Sequence, residues 1–302
     1  MSTILVTGSE GTLGRRLVAQ LRRNGHDVYG LDIQHQSSPQ YIRADVRSYV
    51  QMERAISERP YDMVFHLAAE FGRHNGEEYY ETLWSTNAIG TRHILELQKK
   101  YRFKLVFTSS SEIYGEMDEA LDEDITNRRP VHPRNDYAIS KWVNELQIMH
   151  MVERHGLDIV RIRLFNAYGP GETYHPYRSV VCLFCWRALN GMPFTVYKNY
   201  SRAFMYVDDL VPTFARVADT FTPGRVYNIA GQEIVSVETL ADMVLAKTGA
   251  SRDLITYLGQ DVHNVVSKMP NTELAMKELG HNPTTKLVDG LDLTIDWMRS
   301  RL

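Results

Sequence analysis

Cysteine is scarce in this sequence, and its scarcity excludes a protein held together by disulfides. Cys182 and Cys185 are the two cysteines in 302 residues. They are too few to brace a chain of this length, so we expect a reducing compartment. The two thiols lie three positions apart in an apolar and aromatic run, with no second cysteine pair. We therefore expect two buried core thiols and no metal site.

Blocks of positive charge and long apolar runs are also missing, and their absence excludes further classes of protein. The 34 basic and 37 acidic residues give a net charge of −3. Without a basic block, we expect no nucleic acid partner. No apolar run approaches the ~18 residues of a membrane span, and the first residues lack the basic stretch of a signal peptide. We therefore expect a soluble, cytoplasmic protein that binds no membrane.

Short apolar strands alternate with helical patterns over the first half of the chain. This alternation is typical of βαβ units. We therefore predict an α/β fold, with a Rossmann-like doubly wound parallel sheet and a smaller C-terminal α+β substrate lobe. We place the first domain at residues 1–167 and the lobe at residues 168–302, with allowance for the chain to cross between the lobes. The predicted strands are residues 4–7, 28–33, 41–46, 63–69, 104–109 and 158–165, and the predicted helices are residues 13–24, 82–101 and 137–155.

A glycine-rich turn follows the first predicted strand and opens the first predicted helix. Gly8, Gly11 and Gly14 are spaced three apart. This spacing permits a tight turn, close approach of a pyrophosphate to the backbone, and close packing of helix on strand. The helix N-terminus, with Thr12 and Leu13, presents unpaired N–H groups to the phosphates. The sequence therefore predicts that the first domain binds a dinucleotide.

Two acidic residues near strand ends refine the prediction of the cofactor. Asp32 ends the second predicted strand, 18 residues past Gly14. A carboxylate there can accept hydrogen bonds from both hydroxyls of the adenosine ribose, whereas a 2′-phosphate would meet like charge. The predicted cofactor is therefore NAD, and residues 1–167 are the predicted NAD-binding domain. Asp45 follows the third predicted strand and is a candidate for contact with the adenine edge.

A phenol and an ammonium lie four positions apart on a predicted helix. These are Tyr137 and Lys141, which share one helix face. We expect the ammonium to favour the phenolate and to lower the tyrosine pKa from its usual ~10. Tyr137 is then a candidate general base for a sugar hydroxyl. Ser110, at the end of the strand in the preceding βα unit, should face the same crevice.

Together these motifs resemble the extended short-chain dehydrogenase/reductase superfamily, in its nucleotide-sugar epimerase, dehydratase and decarboxylase branch. The resemblance implies an NAD-dependent enzyme that acts on a nucleotide-diphosphate sugar. It also implies a homodimer formed through the helices near residues 85–100 and 137–155. The matching segments cover nearly the whole chain and are residues 8–14, 66–69, 87–91, 110–115, 137–141, 163–170 and 202–209.

The resemblance also implies roles for individual residues. Ser110 matches the catalytic serine or threonine, Tyr137 matches the base, and Lys141 matches the lysine that also binds the nicotinamide ribose. Asn166 and Arg202 match residues that contact the substrate diphosphate. The remaining positions are Val46, Leu67, Ala68, Ala69 and Asn87 for NAD, and Ser111, Arg178 and Lys268 for the substrate.

Glu112 is the residue that separates the branches of this superfamily. The segment from Ser110 to Gly115 resembles the Thr-Ser-Glu-Val-Tyr-Gly string of glucuronate decarboxylases and a similar string in 4,6-dehydratases. In those enzymes the glutamate assists chemistry at carbon 5 or its carboxyl. The resemblance implies oxidation at carbon 4, followed by 4,6-dehydration, decarboxylation or carbon-5 chemistry of the 4-keto intermediate with Glu112 assisting. Ser111 replaces the aspartate of the deoxythymidine-diphosphate-glucose dehydratases, and Lys268 replaces an arginine of the superfamily's late motif.

Three alternatives stay open. A simple nucleotide-sugar 4-epimerase needs no acid or base beyond Tyr137, and Glu112 would then orient a loop. A net reductase of keto-sugars that uses NADPH is disfavoured by Asp32. A catalytically silent NAD-binding regulatory protein is disfavoured because Ser110 and Lys141 are retained with the tyrosine.

Overall fold

The strands of the chain are short and fall into one large sheet and three small ones. The structure is a computed structural model that describes residues 1–259, 261 and 264–302. In chain order, its strands are β1 (Thr3–Thr7), β2 (Asp27–Asp32), β3 (Tyr41–Arg43), β4 (Met63–His66), β5 (Lys104–Ser110), β6 (Ile159–Leu164), β7 (Ala167–Tyr168), β8 (Phe194–Tyr197), β9 (Ser201–Ala203), β10 (Met205–Tyr206), β11 (Val226–Ile229), β12 (Ile234–Ser236) and β13 (Ile255–Leu258).

Helices connect most of these strands. Among the described helices, none has both the length and the apolar character needed to cross a bilayer. In chain order, the α-helices are α1 (Thr12–Arg23), α2 (Tyr49–Ser57), α3 (Arg73–Glu78), α4 (Tyr80–Trp84), α5 (Gly90–Tyr101), α6 (Ile125–Arg128), α7 (Asp136–His155), α8 (Val180–Leu189), α9 (Val207–Arg216), α10 (Val237–Thr248), α11 (Glu273–Leu279) and α12 (Leu287–Arg299). A π-helical turn spans Ser85–Ile89, and 3₁₀ turns span Ser111–Tyr114 and Arg252–Leu254.

The large sheet has seven parallel strands in the order β11, β6, β5, β4, β1, β2, β3. All neighbouring pairs in it are parallel. From β1 the chain first builds the sheet towards β3, then returns to β4 and builds it in the other direction. The strand order therefore reverses between β1 and β4, and ligands bind at the carboxyl ends of the strands at such a switch point. The predicted fold class is confirmed.

Helices cover both faces of this sheet because successive side chains of each strand point to opposite faces. On one face, Leu17 of α1 and Phe214 of α9 lie in a buried core with Phe65 of β4, and the rings of Phe65 and Phe214 meet edge-on at 5.6 Å. On the other face, Ile94 of α5 and Ile148 of α7 share a second core. Each face of the first domain is therefore closed by at least two long helices.

The second lobe has a core of its own, formed mainly by α8, α10 and α12. The chain does not stay in this lobe after residue 167, because α9 packs on α1 and β11 pairs with β6 at the edge of the large sheet. Cys182 and Cys185 are both fully buried in the lobe, as predicted. In the described part of the chain, no group of histidine, cysteine, aspartate and glutamate could hold a metal ion.

The predicted elements match the structure best where their pattern is long and periodic. The helix predicted at residues 137–155 is α7; the Asn135 side chain caps it by accepting a 2.9 Å bond from the Ala138 N–H. The helix predicted at residues 82–101 is interrupted by the π-helical turn Ser85–Ile89. That turn places the Asn87 amide inside the molecule, a use for which π turns are known. The strand predicted at residues 41–46 ends at Arg43, and α2 was not predicted.

Candidate active site

The glycine-rich turn forms a cradle in which any side chain would collide with backbone. Gly8 has a φ of +71°, and a Cβ there would lie 2.7 Å from the Ala68 nitrogen. A Cβ on Gly14 would overlap the Gly8 carbonyl oxygen. Gly11 caps α1 without a side chain, so the N–H groups of the first helical turn, from Thr12 onward, are open to an anion. The residues present therefore fit a dinucleotide pyrophosphate.

Asp32 lies beside this cradle, as predicted for a residue that binds ribose. Its Oδ2 accepts a 3.0 Å bond from the Glu10 N–H, and its Oδ1 accepts a 3.2 Å bond from the Gln34 N–H. These two bonds fix the carboxylate at the end of β2, next to the glycine turn. The position suits a pair of ribose hydroxyls.

Asp45 and Asn87 are both hydrogen-bonded within the protein, and their contacts with NAD stay predictions. The side-chain hydrogen bond with Arg47 holds the pKa of the Asp45 carboxyl below its usual range, and the ion pair is 2.6 Å long. The Asn87 amide accepts from the Glu70 N–H at 2.8 Å and donates to the Glu70 carbonyl and the Ser140 hydroxyl, both at 3.0 Å. Asn87 therefore shapes the pocket wall, since its side chain is fully hydrogen-bonded within the protein.

The other predicted NAD contacts line the carboxyl ends of the central strands. Leu67 and Ala68 directly follow β4, and their N–H groups donate to the Thr7 carbonyl and hydroxyl at 3.2 and 3.3 Å. Ala69 is the next residue of that loop. Val46 is buried where α5 approaches the end of β3. Their placement agrees with the prediction, and their contacts with NAD stay predictions.

Ser110, Tyr137 and Lys141 meet where the end of β5 touches the first turns of α7. Tyr137 and Lys141 are both buried, at 7% and 4% exposure. The Lys141 amine donates a 2.8 Å bond to the Thr108 carbonyl. The Ser110 hydroxyl lies close enough to the Tyr137 phenol for their interaction to lower the pKa of the phenol. The structure thus brings together the three residues predicted to oxidise a sugar carbon.

The prediction that the pKa of Tyr137 is lowered is wrong for the protein without a bound cofactor. Burial raises the pKa of Tyr137 above its usual value; the interaction with Ser110 opposes this shift and the Glu112 carboxylate adds to it. Lys141 lies 6.0 Å from the centre of the tyrosine ring, with its amine turned to the Thr108 carbonyl. Burial also lowers the pKa of Lys141, to about 8. The phenolate therefore needs a further positive charge close to the ring.

Glu112 is held in a buried ion pair with Lys268. The lysine side chain has no exposed surface, and the glutamate side chain retains 22%. Burial raises the pKa of the Glu112 carboxyl, but the charges of Lys268 and Arg202 outweigh this effect, so the pKa is lowered. Glu112 is an anion at neutral pH, and it is close enough to Tyr137 to act on the pKa of the phenol.

The predicted substrate residues divide into buried and exposed groups. Arg202 is 6% exposed, and its guanidinium donates to the Asn264 amide oxygen at 2.8 Å and to the Val266 carbonyl at 3.1 Å. Asn166 has a φ of +28°, and within the described residues its buried amide nitrogen has no hydrogen-bond partner. Ser111 is also buried, whereas Arg178 is exposed on the loop before α8.

Loops from both lobes close over this site. Phe71, in the loop after β4, meets the Tyr137 ring edge-on at 5.7 Å. In the same region Arg73 forms an ion pair with Asp261, and the Tyr177 hydroxyl bonds to the Glu78 carboxylate. Sequence motifs did not indicate these contacts, because each joins residues that are far apart in the chain, by 99 positions for Tyr177 with Glu78 and by 188 for Arg73 with Asp261.

A buried charged cluster behind the site was also missed. Glu145 and Arg163 are fully buried and form an ion pair of 2.8 Å, and Arg161 adds a second pair of 3.0 Å. Two signals were available in the sequence. Glu145 follows Tyr137 and Lys141 at the same four-residue spacing, and two arginines alternate within an apolar strand.

Asp32 should determine the preference for NAD over its 2′-phosphorylated form. We expect Asp32→Asn to narrow the preference for NAD by about tenfold or more, because the like charge against a 2′-phosphate is removed. Titrating the protein, freed of cofactor, with both dinucleotides measures the ratio. Asp27→Asn, at the other end of β2 and bonded to Gln40 at 2.7 Å, is the matched control. An unchanged ratio in Asp32→Asn would remove this residue from the ribose site.

Breaking the ion pair of Glu112 should destabilise the fold, because it leaves the charge of Lys268 buried without its counter-ion. We expect Glu112→Gln to lower the free energy of unfolding by about 3 kcal/mol at neutral pH, and Lys268→Met in the same chain to restore most of it. A double-mutant cycle in urea measures both effects.

The loss of stability in Glu112→Gln should depend on pH, because the pKa of Glu112 is lowered in the folded protein. The pair stabilises the fold above the ordinary glutamate value of 4.5, and the stabilisation disappears as the pH falls through the lowered value. The difference between wild type and Glu112→Gln should therefore shrink in acid. A difference that grows in acid would contradict an ionised Glu112.

Comparison with known proteins places the chain among nucleotide-sugar enzymes. It is 28% identical to UDP-N-acetyl-alpha-D-glucosaminuronate decarboxylase of Bacillus cytotoxicus, over 98% of this chain and 97% of the relative. It is also 28% identical to dTDP-glucose 4,6-dehydratase of Streptomyces niveus, over 98% of this chain and 92% of the relative.

Solved structures and a family model agree with these relatives. The UDP-glucose 4-epimerase of Thermus thermophilus, in complex with NAD, superposes with a TM-score of 0.88 at 26% identity, over 99% of this chain and all of that one. Residues 4–230 match the model of the NAD dependent epimerase/dehydratase family. The resemblance seen in the motifs and the predicted cofactor, NAD, are therefore confirmed. The chain belongs to the NAD dependent epimerase/dehydratase family.

Proposed function

We propose that this protein oxidises a nucleotide-diphosphate sugar at carbon 4 and then changes the 4-keto intermediate with the help of Glu112. The observation that carries the proposal is the meeting of Ser110, Tyr137 and Lys141 beside an anionic glutamate. Relatives of this chain are named as a decarboxylase, a dehydratase and an epimerase. Oxidation at carbon 4 is the step that the superfamily resemblance implies for all three reactions.

The first step is supported by the contacts of Tyr137. NAD, when bound, supplies the hydride acceptor for the sugar carbon and a positive ring charge. Tyr137 accepts the proton of the 4-hydroxyl, and Ser110 orients the reacting oxygen by hydrogen bonding. Lys141 holds a positive charge below the phenol, fixed by its bond to the Thr108 carbonyl. General base catalysis of this kind contributes typically about 10²–10⁴-fold.

The second step is supported by the charge state of Glu112. An ionised carboxylate can accept a proton but cannot donate one. A base fits the removal of the proton at carbon 5, which the 4-keto group makes more acidic. Glu112 faces the site with 22% of its side chain exposed, so a substrate can reach it. We therefore propose carbon-5 chemistry or dehydration in preference to decarboxylation, because decarboxylation needs no base.

The runner-up is a simple 4-epimerase, and the ion pair with Lys268 favours it. A glutamate that is already bonded to a buried lysine could serve only to hold the segment from Ser111 to Tyr114. The two functions differ in whether Glu112 exchanges protons with the sugar.

The substrate is proposed to lie between the lobes, with its diphosphate at Arg202, Lys268 and the Asn166 amide, whose nitrogen has no hydrogen-bond partner among the described residues. Two buried cations and an unpartnered N–H donor suit a diphosphate better than a neutral sugar. Arg178 would close over it from the exposed loop. In this proposal residues 1–167 bind NAD and residues 168–302 supply most of the nucleotide-sugar contacts.

The decisive experiment follows product masses after incubation with a panel of nucleotide sugars in heavy water, without added cofactor. Loss of water or carbon dioxide assigns a lyase, and a new isomer of unchanged composition, apart from any deuterium taken up, assigns an epimerase. Deuterium at carbon 5 separates carbon-5 chemistry from epimerisation at carbon 4. No reaction with any sugar would support a silent NAD-binding protein.

Two variants separate the role of Tyr137 from that of Glu112 in this reaction. We expect Tyr137→Phe to lower kcat by about 10²–10⁴-fold, because the base is lost. We expect Glu112→Gln to keep the oxidation and to accumulate the 4-keto sugar, measured by mass and by absorbance of the reduced cofactor. Glu119→Gln, an exposed carboxylate a few residues on, is the control. Wild-type product formation by Glu112→Gln would favour the 4-epimerase.

We also propose a homodimer formed through α5 and α7. An apolar stripe on α7 reaches solvent at Ile139, Trp142, Val143 and Leu146, spaced as one helix face. Ile89, at the start of α5, is 52% exposed. Light scattering should give twice the chain mass for wild type, and Leu146→Lys should shift it towards the monomer. A monomeric wild type at micromolar concentration would reject this interface.

A further inference from the structure

Three consecutive residues at the end of β5 face residues on one face of α7. The α7 residues are spaced four apart, so they lie above one another along the helix. Two of the contacts are direct bonds of 2.8 and 2.6 Å. The pairs are Ser110 with Tyr137, Thr108 with Lys141, and Ser109 with Glu145.

We propose that Glu145 is a positioning residue of the catalytic centre, which acts through Ser109 and Lys141 to fix the end of β5 against α7. This proposal rests on the proposed oxidation by Tyr137. Glu145 itself touches none of the reacting groups, because it lies behind Lys141 and is fully buried.

Both carboxylate oxygens of Glu145 are saturated by directed bonds. Oε1 accepts from the Ser109 hydroxyl at 2.6 Å and from Nε of Arg163 at 3.0 Å. Oε2 accepts from Nη2 of Arg163 at 2.8 Å and from Arg161 at 3.0 Å. A forked pair of this kind fixes both distance and angle. The carboxylate therefore cannot move without breaking bonds to two strands.

The bonded strands are those that carry the site. Ser109 of β5 is the register partner of Arg163 of β6, so the two side chains approach Glu145 from neighbouring strands. Ser109 lies between Thr108, whose carbonyl accepts the bond from Lys141, and Ser110, which lies close to the Tyr137 phenol. A displacement of Ser109 would therefore be transmitted to both catalytic contacts.

Stability alone does not explain this cluster. A buried ion cluster is often no more stabilising than apolar residues of the same volume. The remaining donors of Arg163 are nevertheless satisfied, by the Tyr114 hydroxyl and the Glu123 carbonyl at 2.9 Å and by Thr126 at 3.3 Å. Directed hydrogen bonds behind the site match a role in holding the end of β5 in position against α7.

Glu145 also acts on the charge of Lys141. Burial lowers the pKa of Lys141 to about 8, and the negative charge of Glu145 opposes that shift. The other titratable groups near the amine are Tyr137 on α7 and His66 on β4. The pKa of His66 is lowered to about 3 by burial and by Lys141, so it is neutral. Glu145 is thus the counter-charge that keeps Lys141 protonated near neutral pH.

The test compares Glu145→Gln and Ser109→Ala with a matched control. Ser109→Ala removes the bond to β5 and leaves the pairs with arginine intact, so it should fold even if Glu145→Gln does not. Gln98→Leu is the control, because Gln98 is equally buried and bonds to the Phe103 and Asp158 carbonyls at the opposite ends of β5 and β6.

We expect Ser109→Ala and Glu145→Gln to lower kcat by about 10- to 100-fold with KM and bound NAD unchanged, since small misplacements of catalytic groups cost this much. Glu145→Asp should recover part of the loss. Gln98→Leu should leave kcat unchanged while lowering stability. A loss of kcat in Gln98→Leu that matches its loss of stability would overturn the proposal.

A measurement without sugar separates this proposal from the proposed function. NMR of labelled lysine, with Lys141→Met for assignment, gives the titration midpoint of Lys141. The midpoint should fall by about one pH unit or more in Glu145→Gln and stay in place in Ser109→Ala and Gln98→Leu. An unmoved midpoint in Glu145→Gln overturns the positioning role, whether or not any sugar reacts. Inactivity of wild type with a shifted midpoint would reject only the proposed function.

Discussion

The attachment of α7 to the carboxyl end of β5 is the constraint on which the candidate site depends. A helix of 20 residues is stiff, so the bonds of Lys141 and Glu145 at two successive turns fix its rotation and its height against the strand. β5 is itself held between β4 and β6 in the parallel sheet. The sheet therefore sets the positions of Tyr137, Lys141 and Ser110. The catalytic geometry is in this sense part of the fold.

Two buried carboxylates serve this arrangement in opposite ways. Glu145 is fully enclosed and bonded on both oxygens, so it can only hold its neighbours in place. Glu112 keeps part of its side chain exposed and is balanced by Lys268 and Arg202, so it can meet a substrate. Both remain ionised because cations outweigh the effect of burial. In the proposed mechanism, the difference between the positioning carboxylate and the reactive one is access to the substrate.

The sequence predicted those features that depend on neighbours in the chain. The glycine cradle, the helix around Tyr137 and Lys141, and Asp32 at its strand end all follow from local spacing, and the structure places them as expected. Features that depend on distant partners were not predictable in this way. The pKa of Tyr137 rises because of burial, and the π-helical turn around Asn87 depends on hydrogen bonds with Glu70 in the loop after β4.

Lys268 shows why the last chemical step is the hardest to predict. Its partner Glu112 is 156 positions away, and the pair depends on how the second lobe meets the first. A lysine is a compact charge that does not fork like an arginine. An anion that binds at Arg202 and Lys268 takes up part of the positive charge that lowers the pKa of Glu112. In the proposed complex, we therefore expect the pKa of Glu112 to rise towards its ordinary value and Glu112 to be a stronger base.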